Sequence, residues 1–394
     1  MPSYRFAEPT CGQGSLLFMP FRVSVPSSSM PTAAPSLTVV VPVHYGGDDF
    51  RACLDALVQS SRLPDELVIV ADGYTDRAWE EALPLALPDG RVCVLHYASA
   101  AGPAYARNRG AEVATSDLLL FIDADVKVHP NTLERVVQAF EADEALDALI
   151  GSYDDAPGDS GFLSQYRNLL HHYTHQRSTP AVMTFWSGCG AIRRTVFAEA
   201  GGFDESFRRP SVEDIDLGYR ISQRGHRIRL DRSVQVTHLK EWSALSMIHT
   251  DIFKRAAPWT ELLLRYGTME NNLNIDHRSR LSTLAALLAG PAALAGLVFG
   301  SLWPLLLTLA CVVAVALLNA SFYQYLAARR GALFALRVFP WHFFFFLYGG
   351  LGFALGLSRH LRRQILGAQP APATAPRVQP SHQLIVREPQ PVEA

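Results

Sequence analysis

From Leu281 to Phe299 and again from Leu302 to Leu318 the chain carries no charged residue. Each run approaches the ~20 apolar residues a helix needs to cross the hydrocarbon core of a bilayer. Only Gly300-Ser301 separates them, so they predict a transmembrane hairpin; the competing reading is a pair of buried core helices in a large soluble domain. A third apolar stretch, 339–357, contains Phe343-Phe344-Phe345-Phe346 and then Gly349-Gly350. It either spans or enters and leaves on one side.

Basic residues set the orientation. Arg278 and Arg280 precede the first run, Arg329, Arg330 and Arg337 follow the second, and Arg359, Arg362 and Arg363 follow the third stretch. The positive-inside rule asks all three clusters to be cytoplasmic, which puts the residues before 277 in the cytoplasm. Three full crossings do not satisfy all three clusters. Either the third stretch is re-entrant or interfacial, or one cluster breaks the rule.

The chain divides accordingly into a Pro-, Ser- and Ala-rich segment 1–35, a domain over 36–276, the membrane or interfacial region 277–366 and a Pro-rich tail 367–394. The first segment lacks the basic start, apolar core and small-residue cleavage site of a signal peptide. Both end segments are expected to be disordered. The formal net charge of −2 gives no basic surplus for nucleic acid. Cys11, Cys53, Cys93, Cys189 and Cys311 show neither disulfide nor zinc spacing, and their expected role is packing in a reducing compartment.

Strand and helix signals alternate between 37 and 240. Leu37 to Val43 reads as a β-branched strand, followed by Phe50, Cys53, Leu54 and Leu57 at helical spacing. Leu67-Val68-Ile69-Val70 leads to Asp72-Gly73, and Val92 to Leu95 is a third strand. Pro103 opens a helix at its favoured first position, and Leu118 to Ile122 is a fourth strand that runs into Asp123-Ala124-Asp125. Strands alternating with helices predict an α/β fold, a mostly parallel sheet with helices on both faces. Ligands of such sheets bind beyond the carboxyl ends of the strands, where Asp72, Asp123 and Asp125 fall.

Within a strand, residues i and i+2 point the same way, so Asp123 and Asp125 are expected to project together. Two carboxylates held that close call for a cation, and Mg²⁺ or Mn²⁺ carrying a diphosphate suits them. A polar turn after a strand is the competing reading of Asp-x-Asp alone. No Gly-x-Gly-x-x-Gly turn and no Gly-x-x-x-x-Gly-Lys-Ser/Thr loop is present, which removes dinucleotide and P-loop readings. Phosphate neutralisation is then expected from a metal and from side chains such as Arg107.

At this point the chain resembles the family 2 glycosyltransferases of GT-A fold, from about Leu37 to His238. The resemblance rests on Val40-Val41-Pro42-Val43, Ile69-Val70-Ala71-Asp72-Gly73-Tyr74-Thr75-Asp76, Ala106-Arg107-Asn108, Asp123-Ala124-Asp125, Trp186 to Gly190, Gly201-Gly202-Phe203-Asp204-Glu205 and Glu213-Asp214-Ile215-Asp216-Leu217, in the family's order. It implies a metal-dependent transferase that takes a sugar from a nucleotide-diphosphate donor with inversion. Donor binding is implied for Pro42, Asp72 at the nucleobase, Arg107 and Asp123. Metal binding is implied for Asp125, Asp123 and His238. Asp214 is implied as the base beside Glu213, with Trp186, Gly188 and Asp216 on the acceptor side; Asp216 is also readable as a helix-surface or supporting residue.

Some positions depart from the family pattern. Ala71 stands where a carboxylate is usual and Tyr74 where Ser is usual, and Lys254-Arg255-Ala256-Ala257-Pro258-Trp259 is only a loose echo of the Gln-x-x-Arg-Trp motif of processive synthases. Single-residue transfer is therefore expected rather than polymer synthesis. The membrane region suggests an acceptor presented by the lipid surface: a polyprenyl phosphate, a lipid-linked saccharide or a glycolipid. The rival readings are a membrane-anchored sugar-nucleotide-binding scaffold without turnover and a nucleotidyltransferase. The latter would need a basic, Gly-rich loop where His44-Tyr45-Gly46-Gly47-Asp48-Asp49 has no Lys or Arg. His171, His172 and His175 form a further candidate metal cluster.

Overall fold

The computed structural model describes residues 34–73, 78–82, 85, 87–366 and 382–387, and the elements below all lie within Pro35–Ala394. The expected disorder of 1–35 and of most of the tail, and the motif positions Tyr74, Thr75 and Asp76, fall outside the described residues. In chain order the elements of the sheet domain are β1 (Leu37–Val43), α1 (Gly47–Val58), β2 (Glu66–Asp72), β3 (Arg91–Tyr97), α2 (Pro103–Val113), β4 (Leu118–Ile122), β5 (Val126–Val128), α3 (Thr132–Ala142) and β6 (Ala148–Tyr153). There follow α4 (Phe162–Arg177), β7 (Ala181–Val182), β8 (Cys189–Arg193), α5 (Arg194–Glu199), α6 (Glu213–Gln223) and β9 (Ile228–His238). The helical region comprises α7 (Ala244–His249), a π-helical segment Thr250–Ala256, α8 (Ala257–Tyr266), α9 (His277–Phe299), α10 (Leu302–Leu318), α11 (Ala320–Arg330) and α12 (Ala332–Ile365). β10 (His382–Arg387) comes last.

β3, β2, β1 and β4 lie side by side and parallel. Beyond β4 the sheet turns mixed, through antiparallel β8, then β6, β9 and β5. Successive residues of the central strands feed opposite cores. Val39, Val41, Leu67, Ile69, Leu118 and Leu120 pack with α1 and α3, whereas Val40, Val68, Val70, Leu119 and Phe121 pack with α2, α5 and α6. Burial on both faces explains why these strands read as continuous apolar runs. One expectation is corrected at the far edge: His382–Arg387, within the tail expected to be disordered, pairs antiparallel with β3. The reason is that β3 otherwise leaves an open row of backbone donors and acceptors, which an extended segment satisfies.

A buried carboxylate network pins the first strands at the opposite end from the site. Glu66 accepts hydrogen bonds from the Thr38 and Thr115 hydroxyls and the Thr115 N–H, and pairs with Arg91. Burial pushes the Glu66 carboxyl up, but the bonds from Thr115 and Thr38 and the Arg91 guanidinium outweigh it and hold it at about 2. The stabilisation is therefore complete above the ordinary carboxylate range, about 4.5, and is lost as pH falls towards 2. Glu66→Ala, which leaves Arg91 and the hydroxyls of Thr38, Thr115 and Ser116 without this partner, is expected to cost on the order of 3 kcal/mol. Urea melts at pH 7 and pH 3 check this; the deficit should shrink at the lower pH.

α9 and α12 are each long and apolar enough to cross a membrane, and the bent pair α10 and α11 qualifies only if its 61° break is counted within one span. α9 and α10 form the expected hairpin, its tip carrying exposed Leu297, Phe299 and Trp303.

Candidate active site

The site opens at the carboxyl ends of β1, β2 and β4. β4 ends at Ile122, and Asp123 to Asp125 form a turn closed by the Val126 N–H donating to the Asp123 carbonyl (3.0 Å). This corrects the expectation that the two carboxylates project together, because the period-2 rule holds only while the chain is extended. Asp123 points to Arg107, whose Nη2 lies 2.7 Å away. Asp125 turns the other way, to His238, with 3.7 Å from carboxylate to Nε2. Strand register makes that second meeting: Val126 of β5 pairs with His238 of β9, and the Leu239 N–H donates to the Asp125 carbonyl at 2.9 Å.

Arg107, buried in the first turns of α2, also donates to Glu213 at 3.1 Å. One guanidinium thus bridges the turn after β4 and the start of α6. Its two terminal nitrogens serve these carboxylates, while its buried Nε has no hydrogen-bond partner. Burial works against its charge, but Asp123 and Glu213 more than compensate and hold it firmly protonated. Glu213 itself is buried and also accepts the Ser211 N–H at 2.8 Å, which anchors the start of α6. The adjacent Asn108 side chain both donates to the Phe203 carbonyl and accepts its N–H, and donates to Glu205. Arg107-Asn108 therefore ties together two segments that the sequence motifs place a hundred residues apart.

Asp214 occupies the first turn of α6. Its carboxylate accepts the Ile215 N–H (2.8 Å) and, more loosely, the Ser187 N–H and hydroxyl (3.3 and 3.4 Å). Burial, then the neighbouring Glu213 charge, pushes its carboxyl up to about 6 against the pull of Arg107. Asp123 is raised by burial, which Arg107 only partly offsets, whereas burial of Asp125 is outweighed by His238 and Lys240, which hold it low. Three acids of one cleft thus have separated proton affinities.

The remaining expected residues divide. Pro42 sits half-buried at the end of β1, opposite Val70. Asp72 is buried, and its two oxygens accept the Ala101 and Gly102 N–H groups, both at 2.7 Å. It closes the loop before α2 at the carboxyl end of β2. Gly102 holds φ 105°, and a side chain there would meet the Arg208 backbone at 2.5 Å, so only Gly accepts this bond. Asp216 accepts from Arg220 and from the Tyr266 hydroxyl, each at 2.8 Å, and so joins α6 to α8. Trp186 flanks Asp214 through Ser187 and Gly188, and a Cβ on Gly188 would lie 2.7 Å from the Trp186 ring.

Tyr153, at the end of β6, was missed by sequence reasoning. Its ring stacks on His238 at 4.4 Å and meets Trp186 edge-on at 4.8 Å, joining the two sides of the cleft. Its only signal is its place at a strand end beside the site. Asp49, at the start of α1, was also missed; partial burial and the Asp125 charge raise its carboxyl. The candidate cluster on α4 is not a metal site. His172 and His175 bond the Tyr153 and Gly151 carbonyls through Nδ1 (2.7 and 3.1 Å), and burial holds His175 down at about 4.

A divalent cation can be tested against these donors. Among the described residues no group of three or more His, Cys, Asp or Glu side chains is arranged to hold a metal. Asp125, with its proton affinity held low, faces the His238 imidazole across a partly open cleft. That set fits a hard cation that takes one or two protein ligands and completes its shell with phosphate oxygens and water. It does not fit a resident structural metal.

The sheet and its two-sided cleft have the architecture of a GT-A transferase domain. Residues 38–201, less than half of the chain, match the family model "Glycosyl transferase family 2". The chain is 41% identical over 101 residues to the uncharacterized glycosyltransferase YibD of Escherichia coli, covering 26% of this chain and 29% of that one. It is 29% identical over 234 residues to the pre-mycofactocin glycosyltransferase of Mycobacterium tuberculosis, covering 54% of this chain and 46% of that one. The matched regions span less than half of either relative. A solved mannosyltransferase from Pyrobaculum calidifontis, in complex with GDP-Man and Mn²⁺, is similar with a TM-score of 0.47 and 19% identity over 84% of this chain and 88% of that one.

Proposed function

We propose that the protein is an inverting, metal-dependent glycosyltransferase that moves a sugar from a nucleotide-diphosphate donor to a hydroxyl or phosphate of a membrane-associated acceptor at the cytoplasmic face of a membrane. The carrying observation is the opposed pair of acids: Asp125 with His238 on one wall and Asp214 on the other, held in register by the Asp123–Arg107–Glu213 bridge. Asp125 and His238 would hold Mg²⁺ or Mn²⁺ with Asp123 beside it, and the bound cation would offset charge developing on the leaving diphosphate. Asp214 takes the proton from the attacking acceptor hydroxyl. An acid raised to about 6 is ionised at neutral pH and still basic enough for that task. Trp186 and Tyr153 offer an aromatic wall beside the reacting sugar.

The apolar helices after the domain support the lipid-side acceptor, since they keep the cleft near a surface where an acceptor head group is presented. The test uses the membrane-embedded protein, a panel of nucleotide sugars, and Mn²⁺ or EDTA. Nucleotide release from one donor should require Mn²⁺, cease with EDTA and rise on adding lipid extract. Folded protein that binds a donor and releases no nucleotide under any condition would overturn the proposal in favour of a scaffold.

A further inference from the structure

α12 is long enough to span a bilayer, yet its start, middle and end are all fastened to segments that precede residue 277: α4 and the loop before it, the π-helical segment and α8. Just before its start, Arg329 pairs with Asp155 at 2.7 Å and Arg330 donates to the Asp155 carbonyl and to Gln165. Val338 packs in one cluster with Tyr166 and Leu169 of α4. At mid-length the Tyr348 hydroxyl donates to Asp251 at 2.9 Å, and Asp251 is held by both terminal nitrogens of Arg167. Further on, Gly352 and Gly356 bring the helix so close that an added Cβ would lie 2.6 Å from the Ala256 Cβ and 2.3 Å from the Ala257 carbonyl. Near its end Arg363 pairs with Glu261 at 2.5 Å.

A crossing helix must leave the soluble domain behind for ~20 residues. α12 never does, because contacts with residues before 277 recur from Val338 to Arg363, a length of about 39 Å at 1.5 Å per residue. Its other side carries exposed apolar residues, Leu333, Leu336, Phe344 and Leu351, Leu333 at 70%, with exposed Arg337 and Arg362 towards the two ends. One face on protein and an exposed face that is apolar along its middle and basic towards its ends is the pattern of a helix lying in a membrane surface. α9 and α10 behave otherwise. α12 packs on Thr283 and Leu287 near the start of α9, while the hairpin tip around Phe299 and Trp303 projects free.

We propose that the α9–α10 hairpin alone crosses the bilayer and that α12 lies in the plane of the near leaflet, sandwiched between lipid and the sheet domain. This rests on the membrane reading above. It places Arg278 and Arg280, Arg329, Arg330 and Arg337, and Arg359, Arg362 and Arg363 on one side, which removes the conflict among the three basic clusters. The partner of the exposed α12 face is the acyl boundary of a lipid surface, and the domain is thereby pressed flat against it.

The experiment introduces Ser301→Cys at the hairpin tip, or Ile365→Cys at the end of α12, in the full chain carrying Cys11→Ser; Cys53, Cys93, Cys189 and Cys311 are buried. Intact cells are treated with a membrane-impermeant maleimide before and after permeabilisation. Ser301→Cys should label from outside at once, and Ile365→Cys only after permeabilisation. Labelling of Ile365→Cys from outside would overturn the in-plane placement while leaving the protein in the membrane. Release of the unlabelled protein by alkaline carbonate would instead overturn the membrane reading itself, and with it the hairpin crossing.

Discussion

Asp214→Asn is expected to abolish sugar transfer, by roughly 10²- to 10⁴-fold, the range a general base contributes, while donor binding stays within experimental error of the parent. The asymmetry follows from position. Asp214 lies on the α6 side of the cleft, bonded to Ser187 and Ile215 and separated from Asp125 by the Arg107 bridge. Calorimetric titration with donor and metal reports the first property, and product formation at saturating donor reports the second. Equal loss of both would make Asp214 a structural residue and would sink the base assignment. The pH profile supplies an independent check. With its carboxyl pushed up to about 6 by burial, the parent enzyme should lose transfer rate as pH falls below 6, because protonated Asp214 cannot accept the acceptor proton. Stability runs the other way. An acid whose folded proton affinity is raised favours the folded state at low pH and loses that contribution as pH rises through 6. Asp214→Asn should therefore melt no lower than the parent at pH 7.5, separating a lost base from a damaged fold.

How much of this was legible in the sequence depends on whether a residue acts through its place or through a distant partner. The apolar runs of β1, β2 and β4 gave strand positions directly, because burial on both faces keeps polar residues to the strand ends, as with Thr38, Glu66 and Asp72. The carboxyl edge of the sheet then located Asp72, Asp123 and Asp125 correctly. Their directions were not legible. Asp123 and Asp125 diverge because β4 stops at Ile122, and no local signal distinguishes a strand that stops there from one that continues through Asp125. That the Asp72 oxygens accept the Ala101 and Gly102 N–H groups was equally illegible, a pairing across a whole crossover. His238 was legible through its motif position, and its partner through nothing until β5 and β9 are set in register. Arg107 was visible as a cation; that it serves two carboxylates sixteen and over a hundred positions away was not. In the helical region, hydropathy measured the apolarity of α12 correctly but cannot say whether that apolar surface meets lipid all round or protein on one side.

Arg107→Ala is expected to have the second large effect, and on folding rather than on one step of catalysis. The guanidinium is buried, salt-bridged to Asp123 at 2.7 Å and Glu213 at 3.1 Å, and close enough to Asp214 to lower its proton affinity. Removing it leaves buried Glu213 and partly exposed Asp123 without their cation, which costs on the order of 3 kcal/mol. Lys at this position keeps a positive charge but cannot span both acids with the planar fork of Arg, so Arg107→Lys should recover part of the stability and little of the transfer rate. The pH dependence identifies the cause. Without Arg107, burial raises the proton affinity of Asp123 and Asp214 further, so the variant prefers to fold with both acids protonated. Its stability deficit should then be smallest near pH 5 and grow as pH rises to 8, because ionising the unpaired acids is what the fold resists. Denaturant melts of parent and variant across that range measure it. A deficit that does not change with pH would mean that Arg107 acts by packing against Phe203, whose ring lies 5.5 Å from its guanidinium carbon, and that the bridge between the two walls of the cleft carries no electrostatic weight.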